Sequence, residues 1–147
     1  MFAQLTPHAT PSWYQRSLSC VLHQLAQKTQ GVLPPEVCTS LGEASGRVFI
    51  QESYINDMQA ANPGRPISSD PLFVYNGYNS ALSKLFGVLT APGFEGTPRG
   101  QVCHNMHAHL QKILSVVHAR GNDVNGLFKD PNMGKALADF ANVLSAF

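Results

Sequence analysis

At 147 residues and a net charge of +1, the chain has the length of one domain with its own apolar core. Charged residues make up 13%, about half the usual share, while hydrophobic residues at 44% are ordinary. This balance excludes a basic tail and a strongly cationic free-standing nucleic-acid binder, and it leaves a surface that does little to repel copies of itself. A secreted domain would tolerate the same composition. Cys20, Cys38 and Cys103 are an odd number at no framework spacing, so reduced intracellular thiols are expected. The N-terminus shows no basic segment followed by an apolar run, so no signal peptide is expected. No apolar run approaches membrane-spanning length.

Residues 1–11, with Pro7 and Pro11, read as an arm lying on a surface. Ser12 with Gln15 three on forms a capping-box pattern, and Trp13, Leu18, Val21, Leu22 and Leu25 continue as a first helix to Gly31. Pro34-Pro35 restarts the chain; Val37, Leu41, Ala44 and Val48 give a second helix, weakened by Gly42 and Gly46 at roughly 1 kcal/mol each. Val48-Phe49-Ile50 is a point where the chain can leave that helix and extend. Asn62-Pro63-Gly64 is a turn. Arg65-Pro66 opens an extended lead. Asp70-Pro71 then reads as cap and first residue of a third helix bearing Tyr75, Tyr78, Leu82, Leu85, Phe86 and Leu89 on one face. It stops at Ala91-Pro92-Gly93. Thr97-Pro98 caps a fourth helix with Val102, Met106, Leu110, Ile113 and Val117, ending at Arg120-Gly121. Asp130-Pro131 opens a fifth segment with Met133, Leu137, Phe140, Leu144 and Phe147 at alternating four- and three-residue steps, the seam of a docking helix. The class is all-α: one domain, with an antiparallel four-helix bundle over 12–121 and an additional C-terminal helix over 130–147.

The order Arg65-Pro66, Ser69-Asp70, Val74-Tyr75, Tyr78-Asn79, Leu82, Leu85 resembles the middle of the coat proteins of rod-shaped plant RNA viruses, the tobamovirus type. There an Arg-Phe-Pro segment is followed by Ser-Asp, Val-Tyr and a Tyr-Asn that opens a long radial helix. Trp13 matches a Trp near the start of that family's first helix. Phe49 and Glu52 match a Phe and Glu closing its second, and Arg120-Gly121, Asn125 and Phe128 match the run after its fourth. The resemblance covers residues 12 to 128, loosely. The sequence also departs from the pattern. Arg65-Pro66 lacks the intervening Phe, and the long inner loop is reduced to roughly ten residues around Glu95 and Arg99. Gln101 to His104 stand where paired arginines and aspartates open the family's fourth helix, and Lys129, not Glu, follows Phe128.

The resemblance implies a structural protein that assembles with copies of itself into a helical rod around single-stranded RNA, in virions and host cytoplasm. Its partners would be its own copies and the RNA, with no membrane, small-molecule substrate or cofactor. Arg99, just ahead of the fourth helix and its free amide donors, would form an anion-binding corner with Thr97 and Gln101. The alternative is a solvated loop arginine beside Glu95. Arg65 and Arg47 are weaker RNA candidates, and Arg120 serves equally well to cap its own helix. Glu52 and Glu95 are candidates for the carboxylate switch that the family places across subunit contacts, although a lone surface Glu52 is the favoured reading. Trp13, Phe49, Phe73 and Phe147 would supply subunit contacts as well as core. Cys20, His23, Cys103 and His107 sit at helical spacings that permit a zinc site if the first and fourth helices touch, but the tight knuckle pairs of a zinc signature are missing. Cys20 and Cys103 fit better as buried small hydrophobes. No nucleophile turn, phosphate-cradling loop or carboxylate pair points to an enzyme. Two other readings stay open: a soluble helical adaptor or effector docking through the 131–147 helix, and a metal-binding helical bundle.

Overall fold

The computed structural model describes residues 11–91, 93 and 96–145. Residues 1–10 of the expected N-terminal arm, Glu95 and Phe147 lie outside them. Among the described residues there are five α-helices and no strand: α1 Leu18–Lys28, α2 Pro35–Ala61, α3 Phe73–Leu89, α4 Pro98–Arg120 and α5 Pro131–Ala141.

Local chemistry accounts for most of the helix starts. Thr97 caps α4 by accepting from Gly100 N at 2.9 Å, and Asp130 caps α5 by accepting from Asn132 N at 2.8 Å. In both cases proline follows at the first helical position, where no donor is missed. The first helix departs from expectation. Its cap is Ser17, whose Oγ accepts from Cys20 N, and Ser12 to Arg16 lie before it with a 3-10 turn over Tyr14–Arg16. Asp70 likewise is not the cap: α3 begins at Phe73, two residues later than expected, with Leu72 in the cap position. The Asp70 side chain accepts from Leu72 N at 2.9 Å and its carbonyl from Phe73 N at 3.1 Å, a turn that delivers the chain into α3.

Helix α2 does not extend at Val48-Phe49-Ile50; it runs unbroken through Gly42 and Gly46 to Ala61. Its buried row (Val37, Leu41, Ala44, Val48, Glu52, Ile55) keeps helical steps along almost the whole length, and that burial outweighs the weakness of two glycines. The helix packs on α1 along one side and on α3 along the other. Helix α3 packs on α4, and α4 on α5. Helix α5 also reaches α1, burying Met133, Ala136, Leu137 and Phe140. The C-terminal helix is therefore integral to the core, and it ends at Ala141 rather than running on to 147.

Two junctions fix the ends. Asn122, past the left-handed Gly121 (φ 61°), donates its side-chain amide to the carbonyls of Ser68 and Asp70, and its own carbonyl accepts from Ile67 N. This holds the end of α4 against the start of α3. Midway along α3, Gly77 lies against the Gln51 side chain of α2, and a Cβ there would collide with the Gln51 amide. The amide nitrogen is buried without a hydrogen-bond partner. Gly77→Ala should displace only the flexible end of Gln51 into solvent, relieving an unpaired donor and gaining helix propensity. Chemical denaturation should show stability held or raised by up to about 1 kcal/mol. A clear loss would mean that the close helix approach itself needs the glycine.

Candidate functional site

Glu52 occupies the centre of the fold, only 1% exposed. One carboxylate oxygen accepts from Leu18 N at 3.1 Å and from the Tyr78 hydroxyl at 3.2 Å; the other accepts from Ser19 N at 3.2 Å. Leu18 and Ser19 open α1, where backbone donors lack intrahelical partners and the helix dipole is positive. A carboxylate carried by α2 thus caps α1 and is gripped by α3. The expectation of a surface Glu52 is overturned: the carboxylate is enclosed within the fold of this one chain. The missed signal was its place between Val48 and Ile55 in the buried row of α2.

Among the described residues no cation pairs with this carboxylate. The ion pairs among the described residues are Lys84–Glu43, Arg120–Asp130 and Lys135–Asp139. Burial accordingly pushes Glu52 up to about 7, against the opposing hydrogen bonds from Ser19, Leu18 and Tyr78. The neighbours respond in kind. Burial raises Tyr14 to about 12 and Tyr78 well above the ordinary phenol value, and raises the Cys20 thiol, with the Glu52 charge adding to each.

Beside this node, Trp13 stacks on Phe49 at 5.6 Å and on Phe128 at 5.2 Å, with Tyr14 edge-on to both Trp13 and Phe49. Trp13 is 7% exposed, so its ring is part of the chain's core. Phe73 is half-buried and lies 6.0 Å from Tyr54. Arg120 reaches beyond its own helix. It pairs with Asp130 at 2.6 Å and donates to the Asn125 carbonyl, tying α4 to the cap of α5.

The proposed anion corner is divided. Thr97 and Gln101 line a cleft of about 560 Å³ with Leu89, Thr90, Gly100 and His104. Arg99 is exposed and lines a different cleft, against the α1–α2 loop at Gly31 to Pro35. Arg65 is exposed in the turn before α3, whereas Arg99 follows the far end of that helix. Seventeen helical residues, about 25 Å, separate the two ends, so Arg65 and Arg99 do not form one site. Arg47 lies in a groove between α2 and α3 with Gln51, Ser80 and Lys84.

Cys20, His23, Cys103 and His107 do not gather. Among the described residues no three His, Cys, Asp or Glu side chains stand close enough to hold a metal ion. Cys103 is fully buried and Cys20 half-buried, while His107 sits edge-on to Phe86 at 5.3 Å. No helix of the described residues is long and apolar enough to cross a membrane. One surface feature was not anticipated: Ile50 is 70% exposed, Tyr54 44% and Leu72 40%. Ile50 and Tyr54 are one helical turn apart on α2, and Tyr54 meets Phe73 beside Leu72, so these side chains form one apolar face. No protein-family model, curated protein or solved structure matches this chain.

Proposed function

We propose that the chain is a structural coat protein that assembles with copies of itself into a helical rod around single-stranded RNA. Its frame on this reading is an antiparallel bundle of α1 to α4 with α5 as a fifth member. The observation that carries the reading is that residues on which the resemblance to rod-shaped virus coats rests contact one another. Trp13 stacks on Phe49 and Phe128, and Glu52 holds Tyr78, contacts that join residues 26 to over 100 apart in sequence. The charge-poor composition and the uncovered apolar face support self-association in the same sense. The adaptor reading loses support, because the apolar side of α5 is buried on α1 and α4.

On this reading RNA runs along the end of the molecule where α4 begins, its phosphates meeting Arg99 in one cleft and Thr97 and Gln101 in another. Arg65, at the opposite end of α3, leaves the set. Such contacts are blind to sequence and individually weak; the filament multiplies them. Negative-stain microscopy of concentrated protein at pH 5 to 8, with and without single-stranded RNA, should show rods whose length follows the RNA. A monodisperse monomer throughout, or closed shells, would overturn the reading. Arg99→Ala should weaken RNA-dependent assembly and flatten its salt dependence by about one phosphate contact per subunit, while Arg65→Ala should leave both unchanged.

A further inference from the structure

Midway along the bundle, α2 and α3 leave a groove of about 460 Å³ between them. Arg47, Ile50 and Gln51 line it from α2, and Gly77, Ser80 and Lys84 from α3, each set at three- and four-residue steps. Positive charge is in excess there. No described acid lines the groove, and Glu43, one turn before Arg47, is taken up by Lys84 at 2.9 Å. Lys84, and after it Arg47, holds the Glu43 carboxyl below the ordinary carboxylate range. Arg47 forms no ion pair with a described residue, so one guanidinium is left over. A donor is left over as well. Gln51 Nε2 is buried against Gly77 with no acceptor, and Ser83, whose hydroxyl lies on the same wall, donates to the Ser80 carbonyl at 3.0 Å.

We propose that this groove is a phosphate site, in which the Arg47 guanidinium takes two oxygens and the Gln51 amide and Ser80 hydroxyl donate to the others. An unpaired cation beside an unpaired buried donor calls for an acceptor that carries negative charge. A guanidinium fork, an amide and a hydroxyl converging from two helices use more oxygens than a carboxylate has, and a phosphate has them. Gly77 carries no Cβ, so rotation about the last bonds of Gln51 turns Nε2 out of its notch and into the groove. Ile50, 70% exposed beside Arg47, gives the organic part of a phosphate ester an apolar wall. Two sources share this chemistry: free phosphate and the phosphodiester of single-stranded RNA. The second rests on the coat reading above and adds a contact on the flank of the bundle. Arg47 stands twelve residues along α2 from Pro35, which lines the Arg99 cleft, a separation of about 18 Å, so the two contacts are distinct.

Inorganic phosphate titrated into the full-length chain at pH 7 should shift the NMR signals of the Gln51 side-chain amide and the Gly77 backbone amide saturably. Arg47 is exposed, so Arg47→Ala should keep the helicity of the wild type by circular dichroism while weakening phosphate binding about tenfold or more. Gln51→Met keeps the length of the side chain and removes the donor. It should weaken binding about threefold and yet hold or raise the urea midpoint, because no orphaned donor remains. A merely structural Gln51 would lose stability and leave the affinity unchanged. No saturable shift at Gln51, or wild-type affinity in folded Arg47→Ala, would overturn the site. A short oligouridylate added to the phosphate-bound chain separates the sources: displacement that requires Arg47 assigns the site to RNA, and phosphate that stays bound assigns it to the free ion. Rods that form without phosphate binding at Gln51 would overturn this site and leave the coat reading standing. Phosphate binding in a chain that never forms rods would overturn the coat reading and leave the site.

Discussion

Glu52→Gln should abolish a pH dependence of stability that the wild type shows between about pH 4.5 and pH 7. In the folded chain burial raises the Glu52 carboxyl to about 7, against 4.5 for the unperturbed group. Between those values the folded state holds a proton that the unfolded state has released, so stability falls as pH rises. The contribution is fully present below 4.5 and fully lost above 7, a span worth on the order of 3 kcal/mol. Glutamine keeps the shape and an acceptor for the α1 amides but does not titrate, so the difference between the two urea-denaturation curves isolates this group from the histidines. Parallel curves across the window would show that Glu52 stays ionised in the fold. Tyr78→Phe makes a second check with a definite sign. The Tyr78 hydroxyl favours the charged carboxylate, so removing it should move the upper end of the window to still higher pH.

The same residue shows where sequence reasoning reaches its limit. Thr97-Pro98 and Asp130-Pro131 were readable as helix starts because cap and proline act within a few residues of one another. The start of α1 was not. Ser12 and Ser17 both offer a hydroxyl, and the choice between them is made by Trp13 and Tyr14 packing on Phe49 and Phe128, contacts that local spacing does not encode. Glu52 stood in the buried row of α2 by periodicity, yet a carboxylate there is sensible only once α1 brings two free amides to it and α3 brings a hydroxyl. The apolar face shows the same limit. Val48-Phe49-Ile50 looked strand-forming, and only an unbroken helix turns Val48 inward while leaving Ile50 in solvent one turn from Tyr54. Candidate RNA contacts were legible as residue types but not as a site, because Arg65 and Arg99 are separated by the length of a helix that sequence order alone does not lay out.

Phe140→Ala should destabilise the entire domain by about 3–5 kcal/mol, not release a terminal helix. The ring is fully buried on α5, in a row with Met133, Ala136 and Leu137, and α5 lies against both α4 and α1. Removing the ring leaves a cavity between helices from the two ends of the chain, where collapse on one side opens a gap on the other. The single tryptophan supplies a local probe, since Trp13 stacks on Phe128 just ahead of α5, and far-UV circular dichroism reports all the helices together. Both signals should shift to lower denaturant by the same amount in one transition. If α5 were a detachable docking tail, the Trp13 transition would stay where it is in the wild type and a small helical loss would precede it.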